Sequence, residues 1–267
     1  MLGALIGDIC GSTYEFRNIK DPGVYLMPAA SEITDDSILC CATAEVILQN
    51  GDYAEAYWRF GNLYPNPMGG YGARFKEWLR MAGQRPYYSC GNGSAMRVVP
   101  VGWAFNSVEL VLTEAEKTAA VSHNHPEGIK GAQATALAIF LARQNTPKEV
   151  IRAEISSRFS YDLNRTCDQI RFCYGFKETC QQTVPEAIIA FLESNTFEEA
   201  LRLAISLGGD ADTLACITGG IAEAWYGCLP QHLVAWALPK LPQHVFGIAQ
   251  AFYEQFVSSS SPFSQTA

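Results

Sequence analysis

The stretch GGDADTLACITGGIAEAWYG, residues 208–227, decides how this chain folds. Two glycines permit a sharp bend of the backbone, and Asp210, Asp212 and Thr213 then place three oxygen-bearing side chains where a helical pattern begins. Behind them, large apolar residues recur at helical spacing. Alanine and glycine fill most positions between, which lets neighbouring helices come close. The stretch therefore predicts a buried helix whose N-terminal end opens into a pocket.

A second cluster of the same kind lies far away in the sequence, where Thr34, Asp35 and Asp36 open another apolar helix. Aspartate and threonine are common at helix starts, because their oxygens accept hydrogen bonds from the unpaired N–H groups of the first turn. One such start is more often a cap than a metal site. Two starts built alike favour a common ligand.

Composition indicates one large domain. The chain has 267 residues and a net charge of −8, and no internal stretch has the composition of a linker. We expect a single domain over residues 1–257, followed by a serine-rich tail, residues 258–267, that is disordered. Scattered lysine and arginine argue against general nucleic-acid binding, although not against a small molecule that contains a nucleotide.

The cysteines and the N-terminal segment indicate a cytoplasmic location. The nine cysteines lack the spacing of a disulfide framework, which favours free thiols in a reducing compartment. The first residues contain Asp8 and have no basic leader, so they resemble neither a signal peptide nor a membrane anchor.

Nearly every segment with a clear pattern is helical, so the predicted fold class is all-α: a compact, single-domain bundle of orthogonal helices. Residues 2–16 predict a buried helix, on which Asp8 and Glu15 lie two turns apart on one face if the helix is continuous. Glu15 is a candidate functional acid, because the apolar segment carries it toward the core. Residues 17–33 predict a loop, and Pro185 is expected in the first turn of its helix.

Two glycine-rich segments are candidate anion-binding loops, because flexible backbone lets N–H groups approach a phosphate. Gly70 belongs to a short run of glycines before a predicted helix. The second segment is richer in small polar groups and contains Ser89, Gly91, Asn92, Gly93 and Ser94.

Arg97 follows the second loop in the sequence, and two histidines come later in the chain. Arg97 suits either an anion or an internal salt bridge. His123 and His125 precede a proline and share no helical face, so a zinc site is not expected. A ligand contact by one of the two is the favoured interpretation.

The ordered motifs GALIGD, TDDS, GGYG, GNGSAMR, SHNHPEG and GGDADT resemble the ADP-ribosylglycohydrolase family over about residues 2–227. The resemblance implies an all-helical fold that holds two magnesium ions, or manganese in some members, in a cleft between the two acidic helix starts. It makes Asp8 a structural acid and Glu15 a metal-linked glutamate that moves on substrate binding. The metal ligands that it implies are Thr34, Asp35, Asp36, Asp210, Asp212 and Thr213.

The resemblance also assigns contacts to the diphosphate and adjacent ribose of ADP-ribose. These contacts are Gly70, Ser89, Gly91, Asn92, Gly93 and His123. Cys90, Ser94 and Ala211 depart from residues that are frequent in the family, but none removes an oxygen expected to touch metal. They leave open the acceptor linkage, which is arginine, serine or another, as well as the choice among protein, nucleic acid and metabolite targets. The oligomeric state is also left open.

The physical chemistry of the clusters agrees with a hard divalent cation. Four aspartates carry a charge of about −4, which two divalent cations would neutralise, and ligation by oxygen alone suits Mg²⁺ or Mn²⁺ rather than zinc. Without metal, the convergent carboxylates would repel one another or retain protons.

The functional hypothesis is hydrolysis of a glycosidic bond at the anomeric ribose carbon, which releases ADP-ribose through an oxocarbenium-like transition state. The cations would orient ribose hydroxyls and a water, and either Asp36 or Glu15 would help to remove the proton of that water. The alternatives are a di-metal phosphohydrolase of a nucleotide-like metabolite, a non-catalytic ADP-ribose-binding member, and a helical domain with two acidic caps and no metal.

Overall fold

The computed structural model describes residues 1–83, 85–258 and 262–265. Within these residues the regular structure is helical, and extended pairing is limited to isolated bridges between Thr34 and Met68 and between Gly91 and Thr179. The all-α prediction is confirmed.

The helices follow the chain from one end to the other. The α-helices are α1 (Leu2–Gly11), α2 (Asp35–Gln49), α3 (Tyr53–Leu63), α4 (Ala73–Arg80), α5 (Gly93–Met96), α6 (Val99–Ala104), α7 (Val108–Ala120), α8 (Pro126–Arg143), α9 (Lys148–Phe159), α10 (Cys167–Cys173), α11 (Cys180–Glu193), α12 (Phe197–Ser206), α13 (Ala211–Tyr226), α14 (Gln231–Ala237) and α15 (Gln243–Phe256). Two short 3-10 helices span Leu238–Lys240 and Pro262–Gln265.

Helices α1 and α13 pack backbone to backbone at the centre of the molecule. A methyl group added to Gly7 would lie 2.0 Å from the carbonyl oxygen of Ala215, and one added to Gly11 would lie 2.5 Å from that of Ala211. As the chain advances along α1, its partner residues retreat along α13, so the two helices run antiparallel. The C-terminal end of α1 therefore meets the N-terminal end of α13.

Helix α1 is shorter than predicted, and this prediction was wrong. The helix ends at Gly11, and a series of turns replaces its expected continuation to residue 16. The Ser12 hydroxyl donates back to the carbonyl of Ile9 at 2.9 Å, and the N–H of Tyr14 bonds the carbonyl of Gly11 at 2.8 Å, so tighter turns replace the α-helical pattern. Glu15 consequently lies on a turn instead of on the helical face of Asp8.

Pro185 also departs from its predicted place, because α11 begins at Cys180 and the proline lies inside the helix. The N–H of Cys180 bonds the carbonyl of Cys90 at 2.9 Å, which fixes an earlier start than the sequence suggested. Proline lacks the N–H that would bond the carbonyl of Gln181, but that residue is exposed, so water can satisfy its carbonyl.

Half of the tail predicted to be disordered, residues 258–267, lies outside the described residues. Of its described part, Phe263 is buried, and its ring lies 5.1 Å from that of Phe246 and 5.9 Å from that of Tyr253. Throughout the described chain, each helix is too short or too polar to cross a bilayer.

The α1–α13 contact makes a stability prediction. Replacing Gly7 with alanine should destabilise the protein by about 3 kcal/mol or more, because the new methyl group has no space without separating the two helices. Urea unfolding of both proteins measures the difference.

Gly247 supplies the matched control, because it is an exposed glycine inside α15 and has no atom within 4 Å of an added methyl group. Gly247→Ala should be neutral or stabilising by up to about 1 kcal/mol. Equal stability of the two variants would contradict the proposed tight contact.

Candidate active site

The two acidic helix starts meet at one cavity of about 400 Å³. Asp35 and Asp36, from the first turn of α2, line it together with Asp212, from the first turn of α13. The hydroxyl of Thr213 lies 3.4 Å from Asp36 Oδ2 and directly links the two helix starts. Residues about 175 positions apart in the sequence thus share one chamber, as the sequence predicted for Asp35 and Asp212.

Asp8 holds the start of α2 against α1. Its fully buried carboxylate accepts hydrogen bonds from the Thr34 N–H at 3.0 Å, the Thr34 hydroxyl at 2.7 Å and the Ser37 N–H at 3.1 Å, and also from the Ser37 hydroxyl. Burial raises the pKa of Asp8 to about 6, and these hydrogen bonds limit the increase. Asp8 therefore has the structural role that was expected of it.

Both the N–H and the hydroxyl of Thr34 donate to Asp8 in these contacts. Its hydroxyl also accepts from the N–H of Asp36 at 3.2 Å and so caps α2. Thr34 is buried and lies outside the residues that line the cavity, and its role as a metal ligand stays a prediction.

Three carboxylates converge closely on one side of the cavity. Ligand oxygens of Glu15, Asp210 and Asp212 all lie within 4.8 Å of one another. Glu15 reaches this position from the turns after α1, and a methyl group added to Gly69 would lie 2.3 Å from its Oε2. Glu15 Oε2 and Asp36 Oδ1 are buried without a hydrogen-bond partner in the protein. Two carboxylate oxygens are therefore left for a ligand.

The carboxylates of the cluster repel one another and favour their protonated forms. Burial, together with the charges of neighbouring carboxylates, raises the pKa values of Asp35, Asp36 and Asp212 well above their usual range. Burial and then the charge of Asp210 raise the pKa of Glu15 to about 7. An all-oxygen donor set with orphaned oxygens and excess negative charge fits a hard divalent cation.

The opposite wall contains the predicted ligand-binding loops. The side chain of Asn92 donates to Asp210 Oδ2 at 2.7 Å and to the Thr183 hydroxyl at 3.1 Å, which joins the loop before α5 to the acidic cluster. All residues predicted to contact ADP-ribose line the same cavity. They are Gly70, Ser89, Gly91, Asn92, Gly93 and His123.

Of the two alternatives predicted for Arg97, the internal salt bridge is absent from the described chain, and the contact with an anion stays a prediction. Its guanidinium is fully buried and lies 4.1 Å from the centre of the Tyr57 ring. It donates to the Thr118 carbonyl at 2.8 Å and to the Ser122 hydroxyl at 2.7 Å. No carboxylate of the described chain pairs with it. Arg97 lines the cavity as an unpaired, buried positive charge.

The two histidines have separate roles. His123 is buried and lines the cavity. His125 caps α8, where its ring accepts the N–H of Glu127 at 3.1 Å, and it lies outside the cavity lining. Of the two, His123 is therefore the one placed to contact a ligand in the cavity, and that contact stays a prediction.

Sequence reasoning missed several residues that line the cavity. Arg74 lies at the start of α4 with its guanidinium 5.0 Å from the centre of the Tyr87 ring. Glu178 also lines the cavity. Phe176 was not missed, because the sequence offered it as either a pocket wall or a core residue; it is half-exposed and lines the cavity, and its ring stacks on exposed Phe16 with the centroids 5.8 Å apart. These residues lie in segments without a strong local pattern. The position of Arg74 directly after the glycine run was the available signal.

The fold and the site define an all-helical protein in which two acidic helix starts and a glycine-rich loop surround one cavity. The family model for ADP-ribosylglycohydrolase matches residues 1–261, so the chain belongs to that family. It is an enzyme of the glycohydrolase class that acts on ADP-ribosylated substrates.

Individual relatives agree with the family. The chain is 28% identical to ADP-ribosylarginine hydrolase Tri1 of Pseudomonas putida (strain GB-1), over 96% of this chain and 77% of that protein. It is 27% identical to human ADP-ribosylhydrolase ARH3, over 85% of this chain and 84% of that protein. A solved structure described as an ADP-ribosylglycohydrolase-related protein complex superposes with a TM-score of 0.72 and 25% identity over 95% of each chain.

The raised pKa values predict how stability depends on pH. Without metal, the folded protein retains carboxyl protons that the unfolded chain releases near pH 4. The contribution of these groups to the free energy of unfolding is therefore fully present below about pH 4. It is lost as the pH rises through about 7. Thermal unfolding of the metal-free protein from pH 4 to 8 measures this loss.

Added Mg²⁺ or Mn²⁺ should restore the melting temperature, with a larger effect at pH 8 than at pH 5, because protons compete with the cation. The variant Asp212→Asn is the control and should show a weaker loss with pH and a smaller effect of metal. A melting temperature that changes neither with pH nor with added cation would contradict the assignment of a metal centre.

Proposed function

We propose that this protein hydrolyses the bond between an acceptor and the anomeric ribose carbon of ADP-ribose, in the presence of Mg²⁺ or Mn²⁺, and releases free ADP-ribose. The observation that supports this proposal best is the convergence of both acidic helix starts and the glycine-rich loop on one cavity. The acidic helix starts would hold cations that bind the vicinal hydroxyls of a ribose, and the glycine-rich loop would bind a diphosphate.

The candidate metal ligands are the carboxylates of Asp35, Asp36, Asp210 and Asp212 with the hydroxyl of Thr213. When bound, two divalent cations would neutralise these carboxylates and supply positive charge where the ribose hydroxyls and the attacking water must be oriented. Asn92 holds Asp210 in place through its 2.7 Å hydrogen bond. The loop before α5 is thus coupled to the position of the metal ligands.

The backbone of the glycine-rich loop is suited to the diphosphate. Gly91 and Gly93 have no side chains at the cavity wall, where a methyl group would approach the His123 ring to 3.4 Å and 3.2 Å, and the N–H of Gly91 donates to the Ser89 hydroxyl at 3.0 Å, which holds the loop in shape. Substrate held there would place its ribose between this loop and the acidic cluster. Binding energy from the diphosphate would then orient the reacting carbon.

Of the two candidate bases, Glu15 fits proton removal better than Asp36. Asp36 Oδ2 lies within hydrogen-bonding distance of two hydroxyls, and its residue belongs to a buried helix. Glu15 lies on a turn, and its Oε2 is buried without a hydrogen-bond partner in the protein, so this oxygen is available to accept a proton, whereas Asp36 is among the carboxylates assigned to the cations. We therefore propose Glu15 as the group that accepts the proton of the water.

The acceptor is proposed to be an arginine guanidinium. Phe176 and Phe16 present a stacked aromatic surface at the cavity, and the carboxylate of Glu178 lines the same cavity. A planar cation is attracted both to aromatic faces and to a carboxylate. The relative from Pseudomonas putida, named ADP-ribosylarginine hydrolase, supports this choice.

The test of the function is the release of free ADP-ribose from separately prepared arginine-, serine- and nucleic-acid-linked substrates, with Mg²⁺ and with a chelator. Release should be fastest from the arginine linkage and should require the cation. Asp212→Ala should abolish release, whereas Asp168→Ala, which removes an exposed aspartate from the first turn of α10, should not.

Each other outcome of this experiment has a definite meaning. Faster release from serine would overturn the acceptor proposal and leave the hydrolase standing. Cleavage of the pyrophosphate instead of the glycosidic bond would identify a phosphohydrolase. Tight ADP-ribose binding without turnover would identify a non-catalytic member of the family.

A second prediction concerns the base. Glu15→Gln keeps the size of the side chain and removes its ability to accept a proton, so kcat should fall by about 10²- to 10⁴-fold. ADP-ribose binding, measured by calorimetry, should change little. Glu178→Gln removes a charge from the same cavity; because Glu178 is proposed to attract the acceptor, this variant should raise KM for the arginine-linked substrate but alter kcat by less than about tenfold, which separates loss of the base from a general electrostatic effect.

A further inference from the structure

Arg97 is the largest fully buried side chain of the described protein, and it has no acidic partner. A buried guanidinium without a carboxylate is costly, so its position calls for a function that offsets the loss of hydration. One Nη2 group makes both of its hydrogen bonds to protein, with the Thr118 carbonyl and the Ser122 hydroxyl. Nε and Nη1 have no hydrogen-bond partner in the protein.

The contact between Arg97 and Ser122 determines how the Ser122 hydroxyl is used. A guanidinium can only donate hydrogen bonds, so the Ser122 oxygen must be the acceptor in its 2.7 Å contact with Arg97. The single hydroxyl proton of Ser122 is then free for another acceptor. His123 Nδ1 lies 2.8 Å from the same oxygen.

The chain of donors fixes the protonation of His123. If Ser122 donates to Nδ1, that nitrogen carries no proton, and a neutral ring must carry its proton on Nε2. Nε2 faces the glycine-rich loop, where a methyl group on Gly93 would approach it to 3.2 Å and one on Gly91 to 3.4 Å. The ring therefore presents one N–H donor at the wall of the cavity.

We propose that Arg97 and Ser122 are positioning residues that lock His123 as the Nε2–H tautomer, so that it donates a hydrogen bond to an anionic or hydroxyl oxygen of the ligand. The proposal extends the proposed function, in which that oxygen belongs to ADP-ribose. Neither residue touches the ligand oxygen in this arrangement. Each acts through the imidazole.

The surroundings of His123 favour a neutral ring. Burial, and then the positive charges of Arg97 and Arg74, lower the pKa of His123 well below its usual range. The ring also packs against Tyr87, with the ring centres 5.6 Å apart. A neutral donor at this place keeps one tautomer over the whole physiological pH range.

Tyr87 supplies the competing arrangement, because its ring packs on His123 and the Ser122 side chain lowers the pKa of its hydroxyl against the larger increase from burial. If Tyr87 donates to Ser122, the serine proton still goes to His123 and the proposal is unchanged. If Ser122 donates to Tyr87 instead, His123 must donate from Nδ1, and the donor into the cavity is lost. The two arrangements differ in which ring nitrogen carries the proton.

The direct test is NMR of the full-length protein with ¹⁵N-labelled histidine, in which two-bond ¹H–¹⁵N correlations distinguish the tautomers of the four histidines. His123 should show a protonated Nε2 and an unprotonated Nδ1, without titration between pH 5 and 8. A protonated Nδ1 in the wild-type protein would overturn the proposal, even if no variant folds.

Ser122→Ala should remove this preference and give a mixed or inverted tautomer. The matched control is Ser206→Ala, because Ser206 is also buried and accepts hydrogen bonds from an arginine, Arg171, at 2.9 and 3.1 Å. That control should leave the His123 signals unchanged. A pure Nε2–H tautomer in Ser122→Ala would show that Ser122 does not set it.

The functional consequence is measured separately by ADP-ribose binding and by kinetics. Ser122→Ala should weaken ADP-ribose binding and raise KM by about fivefold to tenfold, the effect of one misplaced hydrogen bond, while kcat changes less than about twofold. An unchanged affinity would refute the role of the His123 donor in binding. If no ADP-ribosylated substrate is cleaved by the wild-type enzyme, the proposed function fails, whereas the NMR result still decides the tautomer.

Discussion

The close contact between the backbones of α1 and α13 is the constraint on which the site depends. Glycine and alanine along the seam allow the helices to touch without intervening side chains, and the antiparallel direction brings the end of α1 to the beginning of α13. Glu15 follows one helix, while Asp210 and Asp212 open the other, so three carboxylates converge. The position of the site thus depends on a packing requirement between the glycine and alanine backbones of two helices.

Asp8 connects this seam to the third element of the site. The four hydrogen bonds that it accepts from Thr34 and Ser37 hold the start of α2 beside α1. Asp8 is therefore a buried acid with a structural role, although it lies close to acids whose oxygens have no hydrogen-bond partner in the protein. Saturation by donors distinguishes the two kinds: Asp8 has a full set of protein partners, whereas Glu15 and Asp36 each keep an orphaned oxygen.

Much of this arrangement could be predicted from the sequence, because helical periodicity, small residues and acidic helix starts are local patterns. The fold class and the family are confirmed, and the two acidic helix starts do face one cavity. The end of α1 could not be predicted, since it depends on the hydroxyl of Ser12 and on the turns that follow it. Nor could the partners of Arg97, because Thr118 and Ser122 come close to it only after α7 has packed.

The early end of α1 has a mechanical consequence for Glu15. A glutamate inside a helix is tied to a ladder of backbone hydrogen bonds, and its carboxylate can move only as far as its rotamers allow. Glu15 instead belongs to a run of turns beside Gly69, whose positive φ of 74° and lack of a side chain leave space for the carboxylate. The backbone that carries this acid therefore lies outside the helical hydrogen-bond ladder, and the close contact between α1 and α13 ends before it.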